Sequence, residues 1–315
     1  MKIAVIGGTG HIGTYLIPGL VMAGHEVLSV TRQKGKPYTD HAAWKDVKRV
    51  LINRAEADNK KTFGKQISKL SPDIVIDLIC FTPESARLLA ESLQGRVQHF
   101  LHCGTIWVHG CSEVVPTDES QERNPFGDYG IKKAAIESWL LSFARTTGFP
   151  ATILHPGHIV GPGWIPLNPA GNFNPEVYKT LAEGKELHLP NLGMETVHHV
   201  HAEDVAQSFI KAINNRSNAV GESFHIVSPK ALTLKGYATA MSHWFGREPK
   251  LKFLQWDKWK KNVSEQDANA TWDHISHSPN CSIEKARRQI GYNPRYSSLQ
   301  AVQEAVKYLL NKNLI

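Results

Sequence analysis

In the stretch Asp128-Tyr129-Gly130-Ile131-Lys132-Lys133, a tyrosine and a lysine stand four residues apart. On a helix that spacing puts both side chains on one face, and Asp128 is placed to cap such a helix. About two dozen residues upstream, Thr105 follows the apolar segment Phe100–Cys103. That segment reads as a strand, and open α/β sheets bind ligands at the carboxyl ends of their strands. The trio suits hydride transfer at a carbinol, where a proton must leave or join the oxygen. A free phenol, with a pKa of about 10, is a poor base at neutral pH. A neighbouring ammonium favours the phenolate, so Lys133 is expected to lower that pKa. The Thr105 hydroxyl would hold the substrate oxygen at a fixed distance. A solvent-facing Tyr–Lys pair is the alternative that the spacing leaves open.

Hydride transfer needs a carrier, and the chain opens with one place for it. The apolar run Ile3–Ile6 drops into Gly7-Gly8-Thr9-Gly10-His11-Ile12-Gly13. Glycines at 7, 8, 10 and 13 permit a tight turn, let backbone N–H groups approach a pyrophosphate, and let the next helix pack close to the strand. The helix start then offers unpaired N–H donors and the positive end of its dipole. Gly7, Thr9, Gly10, His11, Ile12 and Gly13 are therefore expected to hold a dinucleotide. An acidic residue roughly 20 positions on marks an NAD site. Here the second strand ends instead on Thr31-Arg32, with Lys34 and Lys36 nearby. Arg32 is placed to bind a 2′-phosphate, which favours NADP over NAD.

These residues need a sheet to carry them. Strands are predicted at Lys2–Ile6, Glu26–Thr31, Lys48–Ile52, Ile74–Leu78, Phe100–Cys103 and Ala151–His155, with helices at His11–Ala23, Lys61–Leu70, Pro83–Ser92 and Tyr129–Thr147. Alternating βα units with apolar strands predict an α/β fold, a doubly wound parallel sheet of Rossmann type. Pro18 predicts a kink in the first helix. The Gly-, Pro- and Asn-rich run from Gly157 to Pro175 reads as one long loop. Beyond it, Val197–Val200 and Ser223–Val227 read as strands, and Glu176–Glu183, Glu203–Asn214, Leu234–Phe245, Ser282–Gln289 and Leu299–Leu310 as helices. The expected organisation is a dinucleotide-binding domain over residues 1–160, joined again by 196–228. A smaller, partly interleaved α/β substrate domain would comprise 161–195 and 229–315.

With 315 residues the chain can bury a sizeable core, and 41% hydrophobic with 21% charged residues fits a globular protein. Its net charge of +7 is spread along the sequence, so it marks a basic surface and disfavours nucleic acid as the main partner. The stretch WDKWKKN, with aromatics beside lysines, keeps open the alternative of a catalytically silent RNA-binding or NADP-sensing protein on the same fold. Cys80, Cys103, Cys111 and Cys281 form no CxxC pair. Free thiols in the cytoplasm are expected. No secretory signal or membrane span is expected either.

Together, GGTGHIG, CGTIWVHG, DYGIKK, LHPGHIVGPG, VHAEDVA and IEKARRQIGYNPR make the chain similar to the extended short-chain dehydrogenase/reductases, the NAD-dependent epimerase/dehydratase family. The resemblance implies Thr105, Tyr129 and Lys133 as the catalytic group, with Lys133 also holding the nicotinamide ribose. It implies that Leu78 and Ile79 line the cofactor cleft, that Pro156 sits beside the nicotinamide, and that Asn53 lies near the adenine. It implies a small carbohydrate-like substrate, acted on by an epimerase or a ketoreductase.

Departures from the family pattern narrow this. Ile106-Trp107 replaces the acidic pair of the dehydratases, so elimination of water is not expected. Val197 and Trp272 fall where arginines bind a nucleotide diphosphate, so the substrate need not be a nucleotide sugar. His158 falls where the family uses a substrate-contacting Asn. Phe81, Trp107 and Trp164 are expected to wall the substrate cleft, His199 and His201 to line it, and Asn168 and Asn172 to read hydroxyls. His198, His199 and His201 lie near Glu203 and Asp204, but cleft-lining and structural roles are favoured, and no metal site is expected. Helices such as Pro83–Ser92 and Tyr129–Thr147 leave a homodimer open.

Overall fold

A computed structural model describes residues 1–315. Strands β1 (Lys2–Ile6), β2 (Glu26–Thr31), β3 (Lys48–Leu51), β4 (Ile74–Asp77), β5 (His99–Cys103) and β6 (Ala151–Pro156) alternate with helices α1 (His11–Met22), α2 (Arg54–Asn59), α3 (Phe63–Ser68), α4 (Pro83–Leu93) and α5 (Gly127–Thr147). There follow β7 (His158–Val160), α6 (Glu176–Ala182), β8 (Leu187–Pro190), β9 (Thr196–Val197), β10 (His199–His201), α7 (Ala202–Asn214), α8 (Arg216–Ala219) and β11 (Ser223–Ile226). The remainder comprises β12 (Leu232–Thr233), α9 (Leu234–Trp244), β13 (Leu251–Leu254), α10 (Trp256–Trp259), α11 (Glu265–His277), α12 (Glu284–Ile290) and α13 (Ser298–Asn311).

Seven strands form one parallel sheet in the order β11-β6-β5-β4-β1-β2-β3. The order reverses between β1 and β4, which opens a crevice at their carboxyl ends. Alternation along β1 sends Ile3 and Val5 to one face and Ala4 and Ile6 to the other. The first face packs against α1, α7 and α12 through Leu16, Phe209 and Ile290, and the second against α4 and α5 through Leu89 and Leu140. Burial on both faces is why these strands are apolar throughout. Local signals fix the helix ends. Thr82 caps α4 ahead of Pro83, and Ser297 and Gln300 close a capping box on α13. A third core joins Val160, Leu167, Tyr178 and Leu189 to Tyr237, Trp259 and Val302. No helix is long and apolar enough to cross a membrane.

Several local expectations change. Helix α1 runs unbroken through Pro18. The helix expected over Lys61–Leu70 is only Phe63–Ser68, preceded by α2, which Asn53 caps. The predicted long loop contains β7. The single strand expected at Val197–Val200 is two, because β9 pairs antiparallel with β12 whereas β10 pairs parallel with β7. Helix α11 was not foreseen, because its sequence lacks an apolar stripe; Ser264 caps it, and Thr271 and His274 are among its buried residues. Within WDKWKKN, Trp259 is buried and its indole N–H donates to the His188 carbonyl (2.9 Å), while Trp256 is part-exposed and stacks on it.

Beneath the sheet edge, Arg54 makes a two-pronged ion pair with fully buried Asp77, at 2.6 and 3.0 Å. Its Nε also reaches Ser85 Oγ at 3.0 Å. Removing the guanidinium would leave a buried carboxylate unpaired, a change that costs about 3–5 kcal/mol. Arg54→Ala is therefore expected to lose that much stability in urea denaturation, and an unchanged unfolding midpoint would contradict the role given to this pair.

Candidate active site

The glycine turn links β1 to α1 directly over the crevice. Gly7 sits at φ 85°, in the left-handed region, and its N–H donates to the Val30 carbonyl (2.9 Å). A Cβ on Gly13 would collide with the backbone of Gly8, so only glycine lets α1 start this close to the strand. No side chain caps α1. Its first N–H groups remain available to an anion.

Two connected hollows flank the turn. The larger, about 770 Å³, is bordered by Thr9, Thr31, Arg32, Asn53, Arg54, Asn59 and Phe63, among others. It has the size for an adenosine moiety, and Arg32 stands at the end of β2 where a 2′-substituent would be read. The second, about 210 Å³, is lined by Gly7, Gly10, His11, Ile12, Gly13, Leu78, Ile79, Phe81, Thr105, Tyr129, Lys133 and Pro156, with Cys103, Gly104, Gly157 and Ile159. The glycine turn, the cation at Lys133 and the apolar strand ends make a donor set that fits a nicotinamide dinucleotide. Phe81, expected on the substrate side, borders both cofactor hollows, and Lys133 Nζ lies 5.0 Å from its ring centre.

Tyr129 and Lys133 lie one turn apart on α5. Lys133 is 2% exposed, and its Nζ donates to the carbonyl of Cys103 at 2.7 Å. This bond fixes α5 to the end of β5. Thr105 begins the next turn, where its hydroxyl accepts the Trp107 N–H (3.3 Å). Tyr129 is 43% exposed, facing the cleft. The expected acidification of its phenol by Lys133 is not the dominant effect. Desolvation by the protein around it pushes the phenol upward from its ordinary value, a push moderated by its exposure to water, and the Thr105 hydroxyl acts in the lowering direction. The ammonium is 5.9 Å from the Tyr129 ring centre and is engaged by the Cys103 carbonyl. Burial also lowers the Lys133 ammonium from its ordinary value.

On the far side of Tyr129 lies a further chamber of about 210 Å³, lined by Thr105, Ile106, Trp107, Tyr129, Gly157, His158 and Ile159. Trp107 stacks flat on His277, with ring centres 4.0 Å apart. His158 packs beside His274 at 4.5 Å. Its Nε2 is buried and meets no protein hydrogen-bond partner. Burial, reinforced by the neighbouring imidazoles, holds His158 well below the ordinary histidine range and therefore neutral.

Other candidate residues are not brought to this chamber. Trp164 stacks on His11 of the glycine turn, 3.7 Å between ring centres, and Tyr38 packs against both. Asn168 is fully buried and spends its amide on Asn172, on the Asn174 carbonyl and on the Ala170 N–H. Asn172 turns to Thr271 Oγ1 (3.1 Å). His199 lies behind His158, with its Nε2 on the Leu167 carbonyl (3.1 Å). His201 caps α7 and stacks on Tyr296. His198 bonds to the Ser228 carbonyl (2.8 Å). Sequence reading missed His274 and His277, which reach Trp107 from α11 and carried no local signal.

Gly13→Ala should weaken NAD(H) binding by about five- to 150-fold, since overpacking of this kind costs about 1–3 kcal/mol. Fluorescence titration measures this, and an unchanged affinity would show that the turn does not cradle the dinucleotide.

Residues 3–226 match the model of the NAD-dependent epimerase/dehydratase family. The chain is 23% identical over 312 residues to the chloroplast stem-loop binding protein of 41 kDa b of Arabidopsis thaliana, covering 96% of this chain and 78% of that protein. In solved structures, it is similar to UDP-glucose 4-epimerase of Thermotoga maritima with UDP-glucose (TM-score 0.74, 21% identity, all of both chains covered). It is also similar to UDP-glucuronic acid 4-epimerase of Bacillus cereus in complex with UDP-glucuronic acid and NAD (TM-score 0.73, 18% identity, all of both chains covered). Those likenesses establish a shared fold, and with the family match over most of its length the chain belongs to the NAD-dependent epimerase/dehydratase family.

Proposed function

We propose that this chain is an NAD(P)-dependent epimerase or ketoreductase acting at a hydroxyl-bearing or keto carbon of a carbohydrate-like substrate. The observation that carries this reading is the position of Tyr129. Its side chain and that of Thr105 stand on the wall common to the cofactor hollow and the chamber of Trp107 and His158. A nicotinamide dinucleotide, when bound, supplies the hydride acceptor and donor. The glycine turn would hold its phosphates, Arg32 and Asn53 would border its adenosine, and Lys133 would hold its nicotinamide ribose. Thr105 orients the substrate oxygen. Tyr129 takes the hydroxyl proton in oxidation and returns it in reduction. In reduction the protonated phenol gives its proton to the developing alkoxide; in oxidation it must act as the phenolate, a state the Thr105 hydroxyl favours.

Trp107 gives the chamber an apolar wall for a sugar ring, and the His158 imidazole offers a hydrogen bond to a hydroxyl. None of the seven lining residues is lysine or arginine. This supports a substrate whose reacting end is uncharged. A binder without turnover is the weaker reading, although one relative is named for stem-loop binding. Burying Lys133 is costly, and a pure binder has no use for it beside a poised phenol.

Tyr129→Phe is expected to reduce turnover by roughly 10²–10⁴-fold while NAD(P)H still binds; retained activity would remove this mechanism. Arg32→Ala should weaken NADPH by about tenfold or more, the loss of a charge-assisted phosphate contact, and NADH much less. Equal losses would show that Arg32 does not read the 2′-phosphate. Tightly retained NAD⁺ in the purified protein, with no net build-up of reduced cofactor during turnover, selects epimerase over reductase.

A further inference from the structure

The backbone N–H of Thr105 donates to His155 Nδ1 at 2.9 Å. That bond assigns the tautomer, because an accepting Nδ1 leaves the ring proton on Nε2. His155 Nε2 in turn faces Glu137 Oε1 at 2.9 Å. Glu137 is gripped on its other side by Arg123, whose Nε and Nη2 donate at 3.1 and 2.9 Å. Arg123 is itself fixed by the carbonyls of Glu119 and Gln121, 2.9 and 2.8 Å from Nη1. His155 and Glu137 are both buried.

The placement of Glu137 connects this chain of bonds to the chemistry. It lies on α5 four residues after Lys133 and eight after Tyr129, so all three share one helix face. His155 is on β6, and Thr105 follows β5. Gly104 completes the arrangement, since a Cβ there would collide with Nδ1 of His155. The end of β5 is therefore tied to α5 twice, once through Lys133 and Cys103 and once through His155 and Glu137.

We propose that Arg123, Glu137 and His155 form a positioning relay that sets the Thr105 turn at a fixed distance from Tyr129. It rests on the assignment of Thr105 and Tyr129 as the reacting pair, and it gives three further residues a role in the reaction without contact with substrate. The ion pair keeps Glu137 an acceptor. Burial alone would raise its carboxyl, but His155 and Arg123 overcome this and hold it far below the usual carboxylate range. Fully satisfied buried networks of this kind specify a single geometry. Without His155, the Thr105 N–H loses its acceptor and the turn is free to shift.

The test needs no substrate. A fluorinated tyrosine placed at position 129, whose phenol ionises nearer neutrality, is titrated by ¹⁹F NMR in the full chain. Lys133 and Cys103 also face this phenol and are left unchanged. Thr105→Ala should raise the titration midpoint, lowering the ionisation constant by about tenfold, because it removes the hydroxyl that acts on this phenol in the lowering direction. His155→Phe should raise it comparably, and the two together should do no more than either alone. His155→Asn, which keeps an acceptor, should restore most of the original midpoint. NADH binding reports that each variant is folded, and if His155→Phe does not fold, Glu137→Gln takes its place and should shift the midpoint in the same direction. A midpoint unmoved by the His155 and Glu137 variants, or effects of Thr105→Ala and His155→Phe that add, would overturn the relay. Failure to find a turned-over sugar would leave this readout untouched and bear only on the proposed function.

Discussion

The hydrogen bond from the Lys133 ammonium to the Cys103 carbonyl, 2.7 Å long and almost wholly buried, is the contact on which the site depends. A charged donor in a low-dielectric setting makes a strong bond, worth about 1.5–3 kcal/mol net. Leaving it unmade would expose the full desolvation cost of the lysine. Helix α5 is thereby fixed to the carboxyl end of β5, and that anchor sets where the phenol one turn earlier stands. That place is the wall between two chambers. The rest of the fold arranges what lies on either side: the glycine turn and the β2 and β4 ends on one, Trp107 and His158 on the other.

Electrostatics on the two sides differ in kind. The side of the glycine turn presents helix-start N–H groups, Arg32 and Lys133, all suited to phosphate and hydroxyl oxygens. The side of Trp107 is built from imidazoles and an indole. Around His158, His274 is lowered to about 4 and His199, behind it, to about 3, each chiefly by burial, so positive charge is disfavoured there. Helix α11 closes it by laying His277 flat against Trp107 and His274 against His158. This mostly polar helix is also held by Ile275 in the third core and by Thr271, which bonds to the Asn172 amide and the Ala170 carbonyl.

What was legible in the sequence were features whose physics is local. GGTGHIG announces itself because a tight turn and a close helix start both demand glycine, and β1 with α1 lies where it was predicted. The Tyr129–Lys133 spacing is a helix-face signal readable without coordinates. Contacts made across long sequence separations were not legible. Arg54 meets Asp77 from a different βα unit, and His155 meets Thr105 fifty residues away. Glu137 extends the four-residue spacing by one more step, and that repeat was a signal open to reading. The strand over Val197–Val200 was misread because partner choice, which splits it at His198, is a tertiary matter. Spacing likewise reveals the Lys133 ammonium but not that it is turned onto the Cys103 carbonyl.

The most direct test is a crystal structure of the chain with NADP⁺. The account predicts the nicotinamide in the hollow bordered by Tyr129, Lys133 and Pro156, with the Tyr129 hydroxyl on the wall toward Trp107 and His158. A dinucleotide seated away from the glycine turn, or a Tyr129 side chain turned out of that wall, would contradict it.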